Sequence, residues 1–169
     1  MSFAVSDRTR KKAIIALVVV LGIVLAACTR NMRPVEDQSQ SMPGNIEQDA
    51  ALADIERCLV LAGSYRGWAR HPASDEGDLH LRRLERHHMA HVRVEYDSTQ
   101  YRLSYVDSAN LRHSENERIL YDRQRDTFTE YEGEVISVHY YRWTDYLLET
   151  MHSVLSQGLD HCDTEASEH

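Results

Sequence analysis

Four histidines, His80, His87, His88 and His91, lie close together and are the residues best suited by type to bind a metal ion. Neutral imidazole is a ligand for zinc, copper or nickel. Strand alternation puts His87 and His91 on one side of the chain and His88 on the other. The candidate metal set is therefore His80, His87 and His91, with His80 supplied by a preceding strand. The competing reading is a row of solvated strand histidines, because no His-Glu-x-x-His helix and no paired Cys-x-x-Cys accompanies them. Asp107, Ser108 and Asn110 could suggest a nucleophilic turn around Ser108. No Gly-x-Ser-x-Gly elbow surrounds that serine. Asp, Ser and Asn at the end of a strand usually hydrogen-bond the backbone as it leaves the sheet. No catalytic residue is assigned, and no enzymatic activity is expected.

The elements that must position these residues begin after an apparent export signal. Arg8, Arg10, Lys11 and Lys12 precede the apolar run Ala13 to Ala27, which closes on Leu25-Ala26-Ala27-Cys28. The run is shorter than the roughly 18 apolar residues that read as a stable span, and fits a secretory signal better. Leu-Ala-Ala-Cys resembles the lipobox of bacterial lipoproteins. That resemblance implies cleavage before Cys28, with diacylglycerol on its thiol and an acyl chain on its amine. Several chains together anchor where one binds only marginally. Thr29 after the cysteine implies an outer-membrane destination facing the periplasm, with the inner membrane as the alternative. No other cofactor is expected.

Removing residues 1–27 takes Lys+Arg from 19 to 15 and Asp+Glu from 27 to 26, so the processed chain carries 15 − 26, or −11. Such a surface has no electrostatic affinity for DNA or RNA, and it would be repelled from anionic headgroups without its acyl chains. Every remaining cation is Arg, since both lysines lie in the signal. With Cys28 committed to lipid, Cys58 and Cys162 remain as an even pair in a compartment where disulfides persist. Cys58 shares a helical stripe with Ile55 and Ala62, and Cys162 continues the line of Met151 and Leu155. A bridge is open to them; the alternative is a small buried hydrophobe and a loose tail thiol.

Residues 28–44, rich in Ser, Gln, Asn and Pro, read as the lipidated cysteine and a flexible tether. A single domain should occupy 45–160. Asn45 can cap a helix running from about Ile46 to Ala62, with Leu52, Ile55 and Leu59 on its apolar face. A short strand near Trp68 to His71 and a turn over Pro72 to Gly77 follow. Alternation marks strands at Leu79 and Leu81, at Val92, Val94 and Tyr96, and at Tyr101, Leu103 and Tyr105. Asp97-Ser98-Thr99 should turn the last two into a hairpin. Charge-rich residues 112–135 read as a hairpin excursion. Trp143, Leu147, Met151, Val154 and Leu155 predict a closing helix from Val138 towards Gly158, with 161–169 an acidic tail. These elements predict an α+β domain: helix, a three- or four-stranded antiparallel meander, helix, with both helices on one sheet face. Trp68 and Trp143, at the starts of elements, are candidate partner-facing side chains.

Gly67-Trp68, Arg86-x-His88, Tyr96 and the run Tyr101-x-Leu103-x-Tyr105-x-Asp107-Ser108-x-Asn110-Leu111 resemble a family of small bacterial outer-membrane lipoproteins of uncharacterised function. The closing segment Ile136-Ser137-Val138-His139-Tyr140-Tyr141-Arg142-Trp143 is similar to that family's pattern at Ile136, Tyr140 and Trp143, and departs from it at Ser137 and Tyr141. The resemblance implies a lipobox, a meander and a closing helix, and it supplies no catalytic residue. The expectation is a non-enzymatic envelope lipoprotein presenting its domain to a protein or cell-wall partner. The alternative is a periplasmic small-ligand or metal-binding module.

Overall fold

A computed structural model describes residues 31–122 and 125–166, so the signal segment and Cys28 lie outside the described residues. In chain order the strands are β1 (Met32–Pro34), β2 (Gln38–Ser41), β3 (Trp68–Arg70), β4 (Asp78–Glu85), β5 (His88–Tyr96), β6 (Gln100–Ala109), β7 (His113–Asp122) and β8 (Thr127–Ser137). The helices are α1 (Leu52–Tyr65), between β2 and β3, and then α2 (Val138–Ser156) and α3 (Leu159–Ala166) after β8. Among the described residues this is a mostly-sheet fold. It has a five-stranded antiparallel sheet ordered β2-β6-β5-β4-β3 and a three-stranded one ordered β1-β8-β7.

The helix–meander–helix α+β arrangement expected from the sequence is therefore wrong. The discrepancy comes from segments without an alternating apolar signal. Residues 32–41, expected to be tether, contribute an edge strand to each sheet: Met32 pairs with Ser137, and Gln38 with Leu103. An edge strand is held by main-chain bonds that any side chain permits, so composition does not reveal it. Tyrosine hydroxyls add to the hold. Tyr141 donates to the Pro34 carbonyl and accepts the Glu36 N–H at 3.0 Å, and Tyr101 donates to Gln40 Oε1 at 2.9 Å. Residues 113–137 likewise form a long paired hairpin, with shifted register on either side of Glu117.

Leu79, Leu81, Val92, Val94, Tyr101 and Leu103 make the buried face of the five-stranded sheet, as period-two alternation requires. They form one core cluster with Ile55, Leu59 and Ala62 of α1 and Tyr140, Leu147, Met151 and Leu155 of α2. Gly63 lets α1 approach the sheet closely, since a Cβ there would stand 3.3 Å from Leu81 Cδ1. Helix α1 begins at Leu52 rather than Ile46, because Ile46 and Ala50 close turns onto Pro43 and Glu47. Asn45 does not cap it. Its Nδ2 donates instead to the Leu155 carbonyl at 3.1 Å, near the end of α2. At the other end of α2, Ser137 Oγ accepts the His139 N–H.

Beyond α2 the described residues do not run out as a tail. Gly158 takes a φ of +94°, and α3 then carries Cys162 back to α1. The Cys58 and Cys162 sulfurs are bonded, with Cα atoms 5.2 Å apart. Trp68 is 2% exposed and packs in the core, so its indole is not available to a partner.

Candidate functional site

The outer face of the five-stranded sheet gathers the titratable side chains. Alternation that turns Leu79 and Leu81 inward turns Asp78, His80 and Arg82 outward. Register then sets His80 opposite Arg93, Arg82 opposite His91, and His91 opposite Asp107. The β5–β6 pairing shifts register between His91 and Val92, and this shift carries Asp107 to the outer face beside His91.

Two of the three predicted metal residues meet. His80 Nδ1 and His91 Nε2 are 3.0 Å apart, so one ring donates and the other accepts. His87 does not join them. It lies in the two-residue turn between β4 and β5, its ring tilted against that of His88 with centroids 4.6 Å apart. A histidine not singled out from the sequence takes its place: the His71 ring lies 4.8 Å from that of His91. His71 follows β3, and its N–H donates to the His80 carbonyl at 2.8 Å, which extends the pairing. Pairing the short strand at Trp68 with the next one across the Pro72–Gly77 turn would have found it. Its Nδ1 accepts the Ala73 N–H at 3.2 Å.

Burial holds His91 below the usual imidazole value. The neighbouring His71, His80 and Arg82 act in the same direction, while Asp107 opposes it. Asp78 sits 3.5 Å from His80 Nε2 and accepts a 2.7 Å bond from Arg93 Nε, which lowers the acid's pKa. Arg93 also reaches Glu95 at 3.2 Å, and Glu95 reaches Arg102 at 3.9 Å. The face is thus a mixed-charge surface around a closely packed trio of imidazoles. Among the described residues, no group of three or more His, Cys, Asp or Glu side chains is arranged to hold a metal ion.

Ser108 is not set up as a nucleophile. Its Oγ shares a 2.9 Å hydrogen bond with the Tyr105 hydroxyl, and its N–H donates to Asp107 Oδ1. Asn110 has a φ of 57°; its Nδ2 donates to the His87 carbonyl at 2.6 Å, and its carbonyl meets His88 Nδ1 at 2.8 Å. The run from Tyr101 to Asn110 thus builds the sheet and clamps the β4–β5 turn. Trp143 is half-buried, with the Arg83 guanidinium 4.7 Å above its ring. A cleft of about 320 Å³ lies elsewhere, lined by Met32, Arg33 and Pro34 of β1, Leu120, Tyr121 and Asp122 of β7, Thr129 of β8, and Val138. Comparison with protein-family models, curated proteins and solved structures finds no match to this chain.

Proposed function

We propose that the chain is a lipid-anchored protein of the bacterial envelope, held in the outer membrane by Cys28, that binds a protein or cell-wall partner without catalysing a reaction. The observation that carries this reading is Leu25-Ala26-Ala27-Cys28 at the end of an apolar run behind four basic residues. The Cys58–Cys162 bridge suits an oxidising compartment. The mixed-charge sheet face around Arg82, Arg93, Glu95 and Arg102 suits a polar partner.

Expression of the full chain in a bacterium with two membranes, followed by fractionation and intact-mass measurement, tests the anchor. The expected product starts at Cys28 and carries three acyl chains, while Cys28→Ser stays unprocessed. An unmodified chain released as soluble protein overturns the reading. For the partner, crosslinking from Arg82 and Arg102 in intact envelopes should trap a partner that the Cys28→Ser chain fails to reach.

A second reading, a module for a zinc- or copper-like ion, rests on the His80–His91 approach. Two nitrogens on one tetrahedral zinc ion stand about 3.3 Å apart, given zinc–nitrogen bonds of about 2.0 Å. The observed 3.0 Å is close to that spacing, and His71 lies alongside. Calorimetric titration with zinc and copper decides, and an unchanged signal at micromolar metal eliminates this reading.

A further inference from the structure

The β7–β8 hairpin carries large apolar side chains that stay exposed among the described residues. Tyr121 pairs directly with Phe128, and Ile119 with Glu130, so Ile119, Tyr121 and Phe128 share one face with the exposed Glu130 at its edge. Ile119 is 51% exposed and Phe128 42%. The Tyr121 ring packs on Phe128 with centroids 5.2 Å apart.

The covalent chain indicates what meets this face. The Asn31 carbonyl accepts the Val138 N–H at 2.8 Å, which pins the start of the described chain to the start of α2. Three peptide units separate Asn31 from Cys28, a span of at most about 11 Å at full extension. The next residues, Met32 to Pro34, line one cleft with Leu120, Tyr121, Asp122 and Thr129, so the distal half of the hairpin lies beside the point where the chain comes from Cys28. Only Thr29 and Arg30 lie between Cys28 and the first described residue.

We propose that the hairpin is a membrane-contacting arm, with Ile119, Tyr121 and Phe128 seated among lipid headgroups next to the acylated Cys28, so that the domain rests on the bilayer. This rests on the reading of Cys28 as the lipid anchor. An isoleucine flanked by two aromatics is the composition that settles at the boundary between headgroup and acyl chain. Arg118, exposed near the same end of the hairpin, supplies charge for lipid phosphates. The surface left for a partner is then the polar face of the five-stranded sheet.

Cys28 is acylated and Cys58 is bonded to Cys162, so an introduced cysteine is a unique free thiol. The full lipidated protein, carrying Ile119→Cys, Phe128→Cys or Arg102→Cys labelled with a polarity-sensitive fluorophore, is placed in vesicles of phosphatidylethanolamine and phosphatidylglycerol that include a lipid-borne quencher. Labels at positions 119 and 128 should shift to the blue and be quenched about threefold more than the label at 102, as expected for a face buried about 5–10 Å into the interface. Intact mass is read on the same samples. A Cys28 without acyl chains removes both the anchor and the arm. Acylated protein with equal quenching at all three sites overturns the arm alone. A blue shift at 119 and 128 that appears without lipid and grows with protein concentration also overturns it, and assigns the face to a second copy of the chain.

Discussion

Removing the Cys58–Cys162 bridge is the most quantitative test of how the ends of the fold are joined. The two cysteines are separated by 104 residues and tie α1 to α3, and both are fully buried. In the chain-entropy model a closed loop of that length restricts the unfolded ensemble by about 4.7 kcal/mol at 25 °C. Residual structure in the unfolded chain lowers the realised value, so Cys58→Ala/Cys162→Ala should cost between about 2 and 5 kcal/mol. Urea unfolding of the Cys28→Ser chain with and without the double substitution reads this directly. The urea dependence should steepen in the variant, because an unbridged chain exposes more surface on unfolding. A loss below about 1 kcal/mol with unchanged steepness would refute the reasoning, since it would mean the bridge does not constrain the unfolded state.

Tyr141→Phe removes both the donor to the Pro34 carbonyl and the acceptor for the Glu36 N–H, and should cost about 1–3 kcal/mol. Amide exchange over residues 32–41 should quicken while exchange in the centre of α2 stays slow; equal exchange in both proteins would show that the segment is held some other way. His91 is depressed below its ordinary 6.5 in the folded state, so on acidification the unfolded chain takes up the proton first. Its contribution is complete above 6.5 and is lost as pH falls through the folded pKa. Denaturation midpoints should therefore drop on acidification over that window, and His91→Gln should flatten that part of the curve. Asn110 occupies the left-handed region and clamps the β4–β5 turn. Asn110→Ala should be less stable than Asn110→Gly by about 1 kcal/mol, because only Ala adds the backbone penalty; equal thermal midpoints would contradict this.

The legible parts of the sequence were those where periodicity reports burial. Leu79 and Leu81, Val92 and Val94, and Tyr101 and Leu103 alternate because one face of their sheet is apolar and the other wet. Leu147, Met151, Val154 and Leu155 recur at helical spacing because α2 lays one stripe on that same core. Asp97 marked its own turn: its Oδ1 accepts the N–H groups of Thr99 and Gln100. The outward-facing His80 and His91 were legible as a candidate pair for the same reason of alternation.

What local pattern could not carry is partner choice between distant segments. Residues 32–41 look like linker because an edge strand needs only main-chain donors and acceptors, and the neighbours that accept them lie some 60 to 100 residues away. His71 joins His91, and His87 does not, because β3–β4 pairing and a two-residue turn decide which rings share a face. Trp68 is buried because it packs in one cluster with Ile55, Leu59 and Ala62 of α1, which its place at the start of a strand does not disclose. The sequence by itself determined the central strands and the stripe of the closing helix. Tertiary structure alone decided the two-sheet architecture, the imidazole trio and the pairing of residues 32–41 as edge strands, because each depends on backbone pairing between segments that carry no local hydrophobic signal.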